Sequence, residues 1–183
     1  MDIISELNGK RILIWGYGRE GKATEHFLQR CVKPASVDIF EGKKEEIDED
    51  DYDFIIKSPG IVMNEENPKY TSETELFLQQ FRDQVIGITG TKGKSTTSAM
   101  LYTVLKACSG RPVLLLGNIG QPCLDYFEEV TEDTIIVYEM SCHQLAHTNV
   151  SPHIAIFLNL YEEHLDYYGT VEKYFEAKSH IAA

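Results

Sequence analysis

Positive charge is scarce in this sequence. Lys and Arg number 17 against 29 Asp and Glu in 183 residues, a formal net charge of −12. With no basic field to attract a polyanion, the charge argues against general binding to nucleic acid or to anionic membranes. Anionic small ligands must then be held by local devices such as helix N-termini and single lysines. Long apolar runs are also missing. The opening stretch MDIISELNGKRILIW carries acidic residues early and fits neither a signal peptide nor a membrane span, so a cytoplasmic protein is expected. The four cysteines, Cys31, Cys108, Cys123 and Cys142, show no C-x-x-C pair and no zinc-like spacing. They read as reduced thiols in a reducing compartment. Low-complexity segments and short-period repeats are absent.

What is present is an alternation of short apolar runs with amphipathic stretches of helical length. Strands are expected at 11–15, 36–40, 54–57, 84–89, 112–117, 134–139 and 153–160. Helices are expected after the glycine turn near 16, over 71–81, over 95–107 and over 170–183. Ser72 is placed to cap the second of these, with Glu75 as its capping-box partner. The highly charged run 41–53 reads as a solvated loop or short helix. Strand–helix alternation implies parallel sheets covered on both faces. The fold class expected is α/β: a Rossmann-like unit over 1–83, then part of a P-loop NTPase-like unit over 84–183.

Each unit has a glycine-rich strand-to-helix turn. In the first, GYGREG sets Gly16, Gly18 and Gly21 in G-x-G-x-x-G spacing, with Arg19 between them. Glycines allow a tight turn and close approach of a diphosphate to helix N–H groups. Asp38, taken to end the next strand, is of the type that meets a ribose or base. Alone, this motif leaves open a nicotinamide or flavin cofactor, another nucleotide, or a turn that only packs helix on strand. Glu20 is awkward there, since a carboxylate repels a diphosphate unless it turns away.

The second turn, TGTKGKST, is shorter than a Walker A loop, because Ile88 stands where that pattern requires glycine. Gly90, Thr91, Lys92, Gly93, Lys94, Ser95 and Thr96 can still cradle a nucleotide. Backbone N–H groups around Gly93 surround a β-phosphate, Lys94 bridges β and γ, and the Ser95 hydroxyl ligates Mg²⁺. A lysine-rich helix cap is the plainer reading. Glu139, at the end of an apolar strand, is placed to reach the same Mg²⁺, although a strand-end glutamate taken alone is more often solvated.

With these two loops in order, the sequence resembles the ATP-dependent Mur ligases of peptidoglycan synthesis, most specifically their D-glutamate-adding branch. The resemblance is carried by GYGREG, SPGI (58–61), TELF (74–77), TGTKGKST, GNIG (117–120), EMSCHQL (139–145), NLYEEHLD (159–166) and EAK (176–178). It implies that the first loop holds the UDP end of a sugar nucleotide and that ATP and two Mg²⁺ ions serve the second. UDP-N-acetylmuramoyl-L-alanine and D-glutamate are the implied substrates. By the same resemblance, phosphoryl transfer from ATP to the L-alanine carboxylate gives an acyl phosphate, which the D-glutamate amine attacks. Cations placed in advance serve such a reaction best.

The resemblance also assigns residues. Lys94, His164 and Lys178 would be catalytic; Ser95, Glu139, His164 and Lys178 would serve the metals, Lys178 after carbamylation by CO₂. Gly16, Gly18, Arg19, Gly21, Asp38, Ser58, Pro59, Gly60, Asn118, Ser141 and His164 would meet the substrate, with Asn159 a further contact. His26, His147, His153 and His180 lack a supporting pattern and read as structural or exposed. Some positions depart from the family pattern. Ile39 and Phe40 replace a hydroxyl residue and an arginine, and Cys142 and His143 replace a serine and an aromatic residue. Because the family's ligases continue further, this chain is expected to be an N-terminal portion that does not ligate alone. Its uncovered sheet edge favours self-association. Competing readings are a Mur relative with a different acceptor, a non-catalytic nucleotide-binding module, and a nicotinamide-dependent oxidoreductase, the last disfavoured by the second phosphate loop.

Overall fold

The computed structural model describes residues 2–62, 67–146 and 148–182. His147 therefore lies outside the described residues. Two four-stranded, all-parallel sheets make the frame. The first has the order β2-β1-β3-β4, from Ser36–Phe40, Arg11–Trp15, Phe54–Lys57 and Tyr70–Thr71. The second has the order β6-β7-β5-β8, from Val113–Gly117, Ile135–Glu139, Val85–Thr89 and Ile154–Phe157. The helices are α1 (Ile3–Leu7), α2 (Arg19–Cys31), α3 (Glu73–Phe81), α4 (Lys94–Cys108), α5 (Cys142–Leu145), α6 (Leu165–Tyr168) and α7 (Val171–Ser179). A 3₁₀ turn at Arg82–Gln84 joins α3 to β5, between the two sheets.

Strand order decides where a ligand can sit. In each sheet two neighbouring strands send their connections in opposite directions, which opens a crevice at their carboxyl ends. In the first sheet these strands are β1 and β3, ending at Trp15 and Lys57. In the second they are β5 and β7, with Ile88 opposite Glu139. Both glycine loops leave from these crevices. The strand reading of 11–15, 36–40 and 54–57 coincides with β1, β2 and β3. The charged run 41–53 holds two exposed 3₁₀ turns, Lys44–Glu46 and Glu49–Asp51.

Two local expectations need correction. Helical structure begins at Glu73, because Tyr70–Thr71 pairs with β3 as a short strand. Ser72 Oγ does accept from the Glu75 N–H at 3.1 Å. The Glu75 carboxylate, however, accepts from Thr71 Oγ1 at 3.3 Å and from the Asn149 N–H, so the reciprocal half of that capping box does not form. A complete box stands instead at α5, between Ser141 and Gln144.

One hydrophobic core runs through both units: Ile12, Ile14, Phe27 and Phe77 from the first meet Leu116, Phe127, Ile136 and Tyr138 from the second. Phe127 packs between Phe27 and Phe81, with ring centroids 4.7 and 4.9 Å away. Polar groups are buried in the same seam. Glu73 Oε1 accepts from the Leu124 N–H at 2.9 Å, and Glu20 Oε1 accepts from Gln144 Nε2 at 2.8 Å. Tyr138 Oη donates to Cys123 Sγ at 3.2 Å and lies 3.0 Å from Thr74 Oγ1. Glu20 Oε2 is buried without a partner. Burial raises the Glu20 pKa, and it raises that of Glu73 well above the carboxylate range, helped by the Glu20 charge.

A raised carboxyl pKa favours the folded state at low pH and costs stability as pH rises through the folded value. Glu73→Gln fixes the side chain in its uncharged form and offers a permanent N–H to Glu20. It is expected to raise thermal stability by about 1–3 kcal/mol at pH 8 and to change it little at pH 5. Melting curves at both pH values check this, and equal effects at the two would contradict it.

Candidate functional site

The second glycine loop begins where β5 ends. Thr89 is fully buried and donates its hydroxyl to the Met140 carbonyl at 2.8 Å, tying the loop's root to the end of β7. At Gly90 an added Cβ would lie 3.0 Å from Leu158 Cβ and 3.3 Å from the Asn159 nitrogen, so a side chain there would wedge the loop off β8. Gly93 is the N-cap of α4, a 15-residue helix. Its first-turn N–H groups lack intrahelical partners, and its dipole favours an anion at this end. Ser95 and Thr96 stand exposed on that first turn. This is a phosphate cradle in form.

Two lysines converge on it. Lys94 Nζ donates to the Gly90 carbonyl at 2.8 Å and to the Thr91 carbonyl at 3.1 Å. Lys178 Nζ, brought in by α7, donates to the same Gly90 carbonyl at 3.0 Å. Lys178 is 1% exposed, and its ammonium lies 5.0 Å from the centre of the Tyr174 ring. Burial, with the Lys94 charge adding to it, lowers its pKa to about 8. Thr91 locks α7 to the loop: its Oγ1 lies 3.0 Å from Tyr174 Oη and accepts from the Tyr161 N–H at 3.0 Å. Asn159 clamps Lys92 from both sides, accepting from its N–H and donating to its carbonyl, each at 2.9 Å.

Glu139, opposite Ile88, is fully buried. Its Oε1 accepts from Asn118 Nδ2 at 3.0 Å, and its Oε2 is buried with no partner. An orphaned carboxylate oxygen costs about 1–3 kcal/mol or more, and a cation is the group that would relieve it. A hard divalent ion takes carboxylate and hydroxyl oxygens, so Glu139 on the adjacent strand and Ser95 on the first turn of α4 suit Mg²⁺. Asn118 follows β6, whose last residue, Gly117, pairs with Glu139.

His164 stands at the N-cap of α6. It is the only non-glycine residue with positive φ among the described residues, at 57°. Its ring faces His143 with centroids 5.2 Å apart. Glu163 links it to the loop, 3.7 Å from His164 Nε2 and 3.5 Å from Lys92 Nζ. Tyr167 Oη, on α6, donates toward the Pro59 and Ile61 carbonyls, each at 3.3 Å, which lays this segment over the SPG turn of the first unit.

The first glycine loop is tightly built. Gly16 has φ +91°, and its carbonyl accepts from Ser58 Oγ at 3.0 Å. Gly21 packs so closely that a Cβ would lie 2.2 Å from the Gly16 oxygen. Gly18 caps α2, and Arg19 Nη2 donates to the Gly120 carbonyl at 2.8 Å across the seam. A cavity of about 300 Å³ opens between the units, lined by Gly18, Arg19, Glu20, Ser58, Pro59 and Asn118 among others. Glu20 turns its carboxyl toward Gln144, which answers how a glutamate is tolerated in this turn. A larger cavity of about 510 Å³ is lined by Glu6, Lys57, Glu75 and His180 but by none of the residues that the sequence assigns to substrate, nucleotide or metal.

Gly18, Arg19, Ser58, Pro59 and Asn118 line the cavity between the units, and Lys94 and Lys178 meet at the Gly90 carbonyl; Asp38, Ser141 and Gly60 are placed otherwise. Asp38 is the central residue of β2 rather than its last, is exposed, and opposes Leu13. Ser141 spends its hydroxyl on capping α5. Gly60 is exposed, with nothing near its Cβ position. Among the other histidines, His26 pairs with Asp125 at 3.3 Å, His153 is exposed, and His180 Nδ1 lies 3.0 Å from the Leu145 carbonyl. Sequence reasoning missed Lys57, which is buried at the end of β3, donates to the Ile61 carbonyl at 3.1 Å and is lowered to about 8 by burial. The apolar residues before it marked the strand but not the buried amine. It also missed Gln144 and Glu73, whose partners come from the other unit.

Comparison with known proteins identifies the family. A family model described as the Mur ligase middle domain covers residues 88–183. The chain is 37% identical over 162 residues to UDP-N-acetylmuramoylalanine–D-glutamate ligase of Clostridium kluyveri, covering 84% of this chain and 35% of that protein. It is 33% identical over 214 aligned positions to the ligase of the same name from Streptococcus pyogenes, covering 100% of this chain and 47% of that protein. It thus spans less than half the length of these curated relatives. A solved structure of MurF ligase from Thermotoga maritima in complex with ADP is 21% identical, with a TM-score of 0.46, covering 97% of this chain and 41% of that one. Because the middle-domain match extends over more than half of the chain and takes in both the phosphate cradle and the carboxylate facing it, the chain belongs to the Mur ligase family.

Proposed function

We propose that this chain is the sugar-nucleotide-binding and ATP-binding portion of a cytoplasmic ligase of peptidoglycan precursor synthesis, one that joins D-glutamate to UDP-N-acetylmuramoyl-L-alanine. The observation that carries the reading is the buried Glu139 carboxylate, with one oxygen free of partners, on the strand beside the Gly90–Lys94 loop. A nucleotide-binding turn without chemistry has no need of such a group. The acceptor is taken from the names of the relatives.

In this reading the cavity between the units seats the sugar nucleotide. Gly16, Gly18, Arg19, Gly21, Ser58, Pro59 and Gly60 lie toward its UDP end, and Asn118 lies toward the reacting end. Asp38 and Ser141 remain assigned to the substrate through the family resemblance alone. The loop from Gly90 to Thr96 binds the ATP phosphates. Bound Mg²⁺ would neutralise charge on transferring oxygens, held by Ser95 and Glu139 at one position and by His164 and carbamylated Lys178 at another. Lys94 stabilises the negative charge that accumulates as the phosphoryl group passes to the L-alanine carboxylate. The acyl phosphate so formed is open to the D-glutamate amine. Burial keeps part of Lys178 as free amine near neutral pH, the form that reacts with CO₂.

Calorimetric titration tests the substrate assignment. UDP-N-acetylmuramoyl-L-alanine and Mg·ATP are expected to bind, and NADH is not; NADH binding without sugar-nucleotide binding would overturn the reading. Lys94→Ala removes a charged donor to phosphate and is expected to weaken Mg·ATP binding by about 1.5–3 kcal/mol, roughly 10- to 150-fold, with little effect on the sugar nucleotide. The purified chain alone is expected to give no ATP- and D-glutamate-dependent product.

Carbamylation has its own pH signature. Because the Lys178 pKa is lowered to about 8, its amine is charged below that value and neutral above it. With ¹³C-bicarbonate, a carbamate carbon signal is expected to grow as pH rises through about 8 and to vanish in Lys178→Arg. A signal that survives this substitution would assign the carbamate elsewhere.

A further inference from the structure

Cys142 and His143 have no part in the reaction just described, yet their metal-ligating atoms cluster with a ring nitrogen of His164. The Cys142 sulfur and one ring nitrogen from each histidine all lie within 4.8 Å of one another. Tetrahedral zinc, with bonds of about 2.3 Å to sulfur and about 2.0–2.1 Å to nitrogen, needs its ligand atoms about 3.3–3.7 Å apart. Closing the cluster requires a movement of about 1 Å, within reach of side-chain torsions. We propose that Cys142, His143 and His164 form a binding site for a thiophilic divalent cation of the Zn²⁺ class, with a fourth position open to solvent.

The supporting shell is already built. Cys142 and His143 share the first turn of α5, fixed by the Ser141–Gln144 capping box. Tyr168 lies parallel to the His143 ring, 5.6 Å between centroids and 7° between planes, with its hydroxyl 3.4 Å from Nδ1. His164 is delivered by a backbone turn that a non-glycine residue adopts only when its surroundings enforce it. The Glu163 carboxylate stands 3.7 Å from His164 Nε2, as carboxylates commonly stand behind zinc-bound imidazoles. Cys142 is 2% exposed, so its sulfur is shielded from solvent beside the two rings.

Ligand chemistry separates this site from the oxygen-lined one. Thiolate and imidazole select zinc and its neighbours, whereas Mg²⁺ requires oxygen donors in near-octahedral array. The proposal shares only His164 with the ligase reading, and Cys142 and His143, which that reading does not use, let the two fail separately.

Titration of the full chain with Co²⁺ under a phosphine reductant is the test. One equivalent is expected to bind, giving the near-ultraviolet thiolate-to-cobalt band and the strong visible bands of a tetrahedral site. Equimolar Zn²⁺ should abolish them, and excess Mg²⁺ should not. Cys142→Ser should remove the near-ultraviolet band. Cys108→Ser, at an exposed free cysteine, should leave it unchanged. His143→Ala and His164→Asn should keep the band but weaken Zn²⁺ binding at least about 10-fold. Asn tolerates the left-handed conformation at position 164, so that variant carries the test even if Cys142→Ser fails to fold. Absence of the band in the unmodified chain, its survival in Cys142→Ser, its loss in Cys108→Ser, or unchanged Zn²⁺ affinity in His164→Asn would overturn the proposal.

Discussion

The Gly90 carbonyl oxygen accepts from two ammonium groups, Lys94 and Lys178, and much of the second unit serves to hold them there. Two like charges sharing one acceptor repel each other, and burial of Lys178 adds a desolvation cost. The assembly is stable only because α7 is fastened independently, through Tyr174 to Thr91, and because Leu158 and Asn159 press the loop against β8. The result is a concentrated positive corner beside a buried carboxylate in a protein whose overall charge is strongly negative. A local field of this kind selects a small anion with a bound cation over a polyanion, because screening confines it to the cleft.

The same logic governs the seam between the units. A purely apolar seam would hold the two sheets together but would not fix their relation closely. Glu20, Glu73, Thr74 and Arg19 each reach a specific partner across it, namely Gln144, the Leu124 N–H, Tyr138 and the Gly120 carbonyl. These bonds stand at the back of the cavity that separates the first glycine loop from Asn118. Registry there determines how far a ligand held by one unit reaches into the other. The buried carboxyls weaken the seam as pH rises, and the direction they give it is what remains in return.

Much of this was legible in the sequence where a local rule decides the outcome. Apolar runs bounded by turns gave β1, β2 and β3 to the residue, and the two glycine turns marked the crevices where parallel strands end. Tyr70–Thr71 was not legible, since two residues have no period and the neighbouring helix pattern absorbs them. Four-residue α5 and α6 are too short for a helical repeat to show. The Ser72–Glu75 spacing promised a capping box, but Asn149, from the other unit, competed for the carboxylate. Tertiary partners decided the remainder. The spacing of Glu20 and Gln144 holds no hint that they meet, and neither does that of Cys142 and His164.

That last pair shows how one corner can carry two chemistries. His164 stands between Glu163, which ties it to Lys92 and the phosphate loop, and His143, which ties it to Cys142. In the ligase reading it would join oxygen donors and a hard cation; in the proposed cluster it would complete a sulfur–nitrogen set for a softer one. Burial lowers the His143 pKa, and the nearby His164 and Lys178 charges lower it further, so its ring is kept neutral and free to offer a lone pair. A serine and a carbocyclic aromatic residue at 142 and 143 would leave His164 a single choice. With cysteine and histidine there, the choice depends on which cation reaches the corner first and how tightly it is held.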